Sequence, residues 1–428
     1  MGQFLSTLVN NHYYGGSYQL GPLIDYDKVV AYNAANPGVL VEDPLFTALN
    51  GDAGNFNYDE RITAGYLMNT IEFGKLRLQA GLRFEATNLK TTGYQVITVA
   101  TGDGFGGVST VNKNSSYLDV LPSVQVRYAF TKDIAMRAVY GRGMSRPDPQ
   151  DIIPSLSIDV TKHPNVYSIG NPALVSEHSH DFDLLYEQYL NPLGLLQVGY
   201  FYKILSDPIV QTTVYKTGGE SPCSETPSSQ QCKVNEIINA GSAWVGGFEL
   251  AYQQRLSMLP GFLGGIGFSG NYTYTNSEAF GVDPLRAQVP KLVRQSPNAW
   301  NVGPTYARGP LSMNLGLEYN GANINSYQYE DLAFGTDANG NPTNTTVPNP
   351  QIGGPAGPAG DNYFYTHLQT DAQISYRLPK GFSVYASGQN LTNEVFGFYN
   401  GSPTYVNQRE YYKPTYFGGV RWMLSHEK

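Results

Sequence analysis

Residues 76–87 read Leu-Arg-Leu-Gln-Ala-Gly-Leu-Arg-Phe-Glu-Ala-Thr. One parity is Leu76, Leu78, Ala80, Leu82, Phe84 and Ala86. The other is Arg77, Gln79, Gly81, Arg83, Glu85 and Thr87. Successive side chains of a strand point to opposite faces, so a strand here carries one apolar face and one polar, charged face. The device recurs along the chain. Val124, Val126, Tyr128 and Phe130 oppose Ser123, Gln125 and Arg127, and Leu196, Val198, Tyr200 and Tyr202 oppose Gln197 and Lys203. Leu311, Met313, Leu315 and Leu317 oppose Ser312, Asn314 and Glu318, and Leu368, Ala372, Ile374 and Tyr376 oppose Gln369, Asp371, Gln373 and Arg377. About 13 such segments fall between residues 56 and 424.

Alternation suits a soluble sandwich with its polar face outward, and equally a membrane barrel with its apolar face outward. Connection lengths separate the two. Tight turns at 73–75, 131–133, 191–194, 307–310 and 379–381 alternate with long polar stretches near 96–116, 144–176, 212–232, 280–297 and 329–362. Short turns on one side and long loops on the other mark an outer-membrane barrel. Loops beyond about 12–15 residues are uncommon in compact soluble domains. Tyr189, Tyr363, Phe364, Tyr365, Tyr411 and Tyr412 lie near strand ends, as interfacial girdles would. The expected fold is therefore all-β, an antiparallel transmembrane β-barrel.

Composition agrees. The 428 residues include 33 Tyr and 47 Gly, and only 14% are charged, against about 25% in ordinary soluble domains. The net charge of −8 disfavours a nucleic-acid partner. No apolar run reaches the roughly 18 residues of a transmembrane helix. The opening Gly-Gln-Phe-Leu-Ser-Thr-Leu-Val-Asn-Asn has neither a basic region nor an apolar core, unlike an export signal. A cytosolic chain or a part of a longer exported one would both look like this.

Several stretches coincide with one family. Asp119-Val120-Leu121-Pro122-Ser123, Ser145-Arg146-Pro147, Gly170-Asn171-Pro172-Ala173-Leu174, Gly246-Gly247-Phe248-Glu249-Leu250, Gly388-Gln389-Asn390-Leu391-Thr392-Asn393-Glu394 and Thr415-Tyr416-Phe417-Gly418-Gly419-Val420-Arg421-Trp422 follow in the order seen in TonB-dependent outer-membrane receptors. From about Asn57 to Leu424 the chain resembles the C-terminal portion of their barrel. The resemblance implies a 22-stranded barrel with a plug domain inside, a place in the Gram-negative cell outer membrane among its lipids, and uptake driven by the inner-membrane TonB complex. About 13 strands are read here, so the expectation is the C-terminal part of that barrel without its plug. Residues 1–55 would be the remnant of an extracellular loop, 56–424 the barrel portion and 425–428 a tail. The family usually ends on an aromatic residue; here Trp422 and Leu424 are followed by Ser-His-Glu-Lys.

Candidate sites follow from this frame. A charged face repeated on strand after strand needs water or a polar partner. The expected lumen-facing charges are Arg77, Arg83, Glu85, Arg127, Arg137, Lys203, Glu249, Arg255, Glu318, Asp371, Arg377 and Arg421. Ligand contact would come from loops bearing Tyr327, Tyr329, Tyr399, Asn400 and Tyr405, which could stack on a sugar or a chelate or simply pack the loops. Cys223 and Cys232, the only cysteines, could staple a loop in an oxidising compartment or remain free thiols in a reducing one.

Other patterns point to no chemistry. His178 and His180 share a strand face and read as ordinary polar residues rather than metal ligands. Ser179 and His180 are neighbours on a strand and face opposite ways, so they cannot pair as nucleophile and base. Gly102 to Gly107 fits a phosphate-loop pattern but lacks the following helix. Asp337 to Asn341 starts like a calcium loop but has Pro342 where glycine belongs. Pro355 to Gly360 is too short for collagen. No catalytic set, cofactor or metal is expected. The function expected from the resemblance is energy-coupled uptake of a scarce nutrient, a siderophore, cobalamin or glycan. The alternatives are a passive porin and a soluble β-rich adhesin or lectin.

Overall fold

The structure is a computed structural model. It describes residues 2–13, 15–39, 41–99, 104–159, 164–223, 226–282, 286, 288–328, 332–336, 342–348 and 358–423. Its wall is built of strands labelled here in chain order. They are β1 (Phe56–Phe73), β2 (Leu76–Thr98), β3 (Phe105–Ala129), β4 (Ile134–Ser145), β5 (Glu177–Leu190), β6 (Gly194–Ser206) and β7 (Ser242–Arg255). The sheet continues with β8 (Ile266–Phe280), β9 (Asn298–Arg308), β10 (Leu311–Asn320), β11 (His367–Arg377), β12 (Phe382–Gln389) and β13 (Thr415–Trp422).

Each strand pairs antiparallel with the next, from β1–β2 through β12–β13. The strand order runs as a closed barrel. That order sets β13 next to β1, but no residue register joins them: among the described residues, β1 registers with β2 alone and β13 with β12 alone. Both faces of β1 are open there, with Tyr66 73% and its neighbour Leu67 80% exposed.

Strand length explains what the loops are. At about 3.3 Å per residue, the 23 residues of β2 extend roughly 75 Å, whereas about 9–11 tilted residues cross the hydrocarbon layer. One end of β2 is the Gly74 turn, where the positive φ of 59° suits a residue without Cβ. The surplus therefore projects on the long-loop side. Stretches expected as loops are consequently strand. Residues 96–116 are mostly the tips of β2 and β3, and the two ends of 212–232 belong to a hairpin of Ile209–Thr217 and Gln231–Asn239 that continues β6 and β7. The reason is physical: beyond the bilayer no lipid demands an apolar face, so residues such as Ser109, Asn112, Lys113, Asn114 and Ser115 form strand without alternation. The 144–176 stretch holds a short helix, Pro149–Ile152, and a hairpin, Leu156–Asp159 with Asn165–Ile169. That hairpin pairs parallel with the tip of β2 on one side and with Gln231–Asn239 on the other, lashing two tall hairpins together.

The buried apolar clusters lie on this side, among the long connections and the strand residues next to them. One gathers Ile158, Tyr167, Cys223, Cys232 and Val234; another, Ala240, Ala243, Ala279 and Val282; a third, Leu89, Ile152 and Leu174. A separate four-stranded sheet, Asn323–Ser326, Asn362–Phe364, Val395–Asn400 and Val406–Tyr411, stands beside them. It carries Tyr363, Phe364 and Tyr411, which are therefore loop-sheet residues rather than a girdle at the wall. Residues 1–55 contain a small hairpin, Asn10–Tyr13 with Tyr18–Leu20, and two helices, Tyr26–Ala35 and Pro44–Asn50. Both helices are capped by an Asp side chain, Asp25 and Asp43, satisfying an end amide that has no partner within the helix.

Candidate functional site

Directly opposed residues of neighbouring strands share a face, so the registers decide which face each charge occupies. Glu72 opposes Arg77, Arg77 opposes Arg127, and Arg127 opposes Arg137. A second row runs Glu187, Gln197, Ala251, Asn271, Asn301, Glu318, Gln369 across seven strands. Followed this way, all twelve expected lumen charges, Arg77 to Arg421, fall on one face. The opposite face carries Leu82, Phe84, Val124, Val198, Phe248, Leu250, Met313, Leu315 and Ile374, each more than a third exposed. Among the described residues none covers these side chains fully, which is the arrangement a lipid-facing surface requires.

The polar face is divided. Around β1–β6 it is ionic. The Glu85 side chain, 12% exposed, accepts from Arg83 Nε at 2.5 Å and from Arg146 Nη2. Arg146 also lies 3.7 Å from Glu60. Glu187, 7% exposed, is shared by Arg137 at 3.4 Å and Arg127 at 4.0 Å. Lys203 reaches Asp181 at 3.5 Å, and His178 Nε2 is 2.7 Å from Asp119 Oδ1. Around β6–β11 the face is mainly amide and hydroxyl. There Gln197, Gln253, Ser269, Asn271, Asn301, Glu318, Gln369 and Asp371 line a concavity of about 360 Å³. Glu318 accepts from Asn320, and Asp371 accepts from Gln369 and from the Asn390 amide. Glu249 sits opposite Gly199 and Thr273. Arg255 and Arg377 donate to the Ala307 and Gly309 carbonyls, and Arg421 lies 5.9 Å from the Tyr385 ring.

The loop candidates separate. Tyr399, 7% exposed, stacks on Tyr363 at 5.3 Å in the four-stranded sheet, and burial pushes both phenols above their ordinary pKa. Asn400 Oδ1 accepts from Asn362. Tyr405 is 70% exposed on the turn that follows. Tyr327 donates to the Lys291 carbonyl and faces the Arg286 guanidinium. Tyr329 lies outside the described residues, as do Gly102, Asp103, Asp337 to Asn341 and Pro355 to Gly357. Cys223 and Cys232 are joined as a disulfide within the first apolar cluster. His180 Nδ1 is 3.0 Å from the Tyr140 hydroxyl. Among the described residues, no group of three His, Cys, Asp or Glu side chains is placed to hold a metal.

Sequence reasoning passed over Glu60, Asp119, Arg146, Asp181 and Glu187. Continuing the alternation of residues 117–130 and 177–190 would have found Asp119, Asp181 and Glu187. It also passed over a buried pair, Arg286 and Asp361, 3% and 0% exposed. These are 75 positions apart in two loops, where no period exists to follow.

The match to a family model decides what kind of wall this is: TonB dependent receptor-like, beta-barrel, over residues 2–391. The chain belongs to the TonB-dependent receptor β-barrel family. Its wall is that of a Gram-negative outer-membrane protein. Solved structures share its fold. The ferric-catecholate import receptor Fiu from K12 E. coli aligns with a TM-score of 0.58 at 14% identity, covering 90% of this chain and 46% of that one. The FrpB iron transporter from Neisseria meningitidis gives 0.51 at 14%, covering 86% and 46%. The ferric enterobactin receptor from Pseudomonas aeruginosa gives 0.52 at 15%, covering 85% and 54%. The chain thus spans about half the length of these receptors. No curated protein sequence matches it.

Proposed function

We propose that the protein carrying this wall takes up a scarce small-molecule nutrient across the outer membrane, driven by the inner-membrane TonB complex. The observation that supports this most is the division of one sheet into a hydrated, ion-paired face and an uncovered apolar face, in a chain of this receptor family. The wall holds a wet passage through lipid, and folded loops at its mouth present aromatic and amide groups. Residues 56–424 supply the wall, 1–55 belong to an extracellular loop and 425–428 are a tail. Partners are the membrane lipid, a plug domain seated within the wall, and a ligand captured by the loops. Ligand transfer breaks no covalent bond, so no catalytic group is assigned. The iron-related names of the three solved relatives favour a ferric chelate as cargo over cobalamin or a glycan.

The test is growth of a deletion strain on a panel of ferric chelates, cobalamin and oligosaccharides, each as the limiting source. The reading expects loss of growth on one class, restored by the gene only while the TonB complex is energised. Rescue without the TonB complex, or a constitutively open conductance in planar bilayers, would make the protein a passive pore.

A further inference from the structure

The chain has 27 Lys and Arg against 35 Asp and Glu, yet its short-turn end is basic. Arg77, Arg127, Arg137, Arg255, Arg377 and Arg421 all lie within four residues of a strand end there, and all six share the polar face. Lys75, Lys132 and Lys380 sit in the turns themselves. Among the described residues, the acidic ones at that end are Glu72, Asp133 and Glu187.

The collar is densest where Arg77, Arg127 and Arg137 stand directly opposite one another on β2, β3 and β4. Like charges opposed across strands disfavour the pairing, so this row needs anionic company. Two carboxylates reach it: Glu72, 3.5 Å from Arg77, and Glu187, shared between the other two. Three guanidiniums thus meet two carboxylates, and the buried Nε of Arg137 and Oε2 of Glu187 each lack a hydrogen-bond partner. Between them is a pocket of about 310 Å³ lined by Arg77, Gln79, Gln125, Arg127 and Arg137. The arginine side chains remain 55%, 34% and 33% exposed. Guanidinium forks match the two-oxygen edge of carboxylate and phosphate, and the two amides add neutral donors.

We propose that this pocket binds a small multivalent oxyanion, a solute bearing carboxylate or phosphate groups, at the short-turn mouth of the lumen. The proposal deepens the uptake reading, on which it rests for the direction of travel, by giving the cargo a negative charge. Binding itself is measured without transport.

The experiment is calorimetric titration of the folded protein in non-ionic detergent with pyrophosphate at low ionic strength, and with maltose as a neutral comparison. Pyrophosphate should bind, weakening steeply as salt is added, and maltose should not. R127Q and R137Q should each weaken binding about tenfold or more, the worth of a charge-assisted hydrogen bond. R255Q, outside the pocket, should change it by less than about threefold on the same scale. Heat-modifiable gel mobility reports whether each variant is folded. Equal affinity in folded R127Q and the parent would overturn the proposal. So would a parent that binds no pyrophosphate, an outcome that assigns the pocket to acidic side chains of another segment. Either failure with nutrient uptake intact removes the oxyanion site and leaves the transport reading standing.

Discussion

Replacing Asp361 with Asn tests whether the long loops form one folded body. The Asp361 side chain has no accessible surface, and Arg286 keeps 3% of its own. Arg286 Nη1 donates to Oδ1 at 2.9 Å and Nη2 to Oδ2 at 2.5 Å, while the Gln328 amide donates to Oδ1 at 2.8 Å. The Asp361 carbonyl accepts from the Gly401 amide at 2.8 Å. Arg286 also lies 5.3 Å from the Tyr327 ring centre. One residue therefore ties together the segments at 286, 327–328 and 401. Breaking a buried pair by removing one partner costs about 3–5 kcal/mol, because the other charge stays buried without compensation. At about 1.4 kcal/mol per factor of ten, that is a rise of roughly 140- to 3700-fold in the opened population. Asparagine keeps one oxygen, so D361N should sit at the lower end, roughly a hundredfold. Hydrogen exchange at the Gln328 and Gly401 amides reads this directly. The double variant R286M/D361L replaces the pair with apolar groups and should recover most of the protection, since buried pairs contribute little net stability over such replacements. Exchange in D361N within about threefold of the parent, far short of the loss expected from an uncompensated buried charge, would refute the reasoning, as would a double variant no better than the single one.

Three further outcomes are expected. C223S opens a disulfide that spans nine positions; the chain-entropy relation gives about 2.5–3 kcal/mol for a loop that short, read as faster proteolysis between residues 218 and 230. E85Q leaves Arg83 and Arg146 without their shared carboxylate. The wall is one sheet thick and lumen water is close, so the cost should lie between that of exposed and buried pairs, about 1–2 kcal/mol in the urea midpoint, while E318Q on the exposed amide side should change little. Asp151 in the short helix is pushed above its ordinary pKa of 3.8 by burial and then by Asp148, so folding favours its neutral form. The stability it lends is full below pH 3.8 and is lost as pH rises through the raised value. Protection factors in the 144–176 loop, taken against the intrinsic exchange rate at each pH, should therefore be higher near pH 4 than at pH 7, and D151N should flatten that difference by raising protection at pH 7.

The wall was legible because lipid and water impose opposite demands on alternate residues. From Leu76 to Ala86 every second side chain is apolar, and β2 and β11 could be placed within a few residues on that ground alone. The same rule explains the misreadings. Once β3 rises past the bilayer, its residues 105–116 face water on both sides and lose their period, so strand was taken for loop. Glu85 and Arg83 announced themselves by parity. Their partner Arg146 follows the last residue of β4 and belongs to no alternating run; only the Ser-Arg-Pro resemblance marked its neighbourhood. Arg286 and Asp361 were illegible for a stronger reason, since contacts between two long loops leave no periodic trace in either.

The position of the apolar clusters changes how the mouth of this wall should be understood. A single sheet has no interior of its own, so β1–β13 hold together through strand pairing and the lipid around them. All three buried clusters, the disulfide and the buried ion pair lie instead among the long connections and strand tips. Those connections are thus packed like a small domain, with the 156–169 hairpin joining β2 to the β6–β7 extension. On the proposed uptake reading, a ligand arriving from outside meets a packed body, with Tyr399 held against Tyr363 and Asn400 hydrogen-bonded to Asn362, so the ordering entropy of these loops is not charged to binding. Selectivity at such a mouth comes from the shape of a preformed surface. A variant that loosens the clusters without touching a ligand should therefore weaken capture while leaving the wall and its inner charges in place.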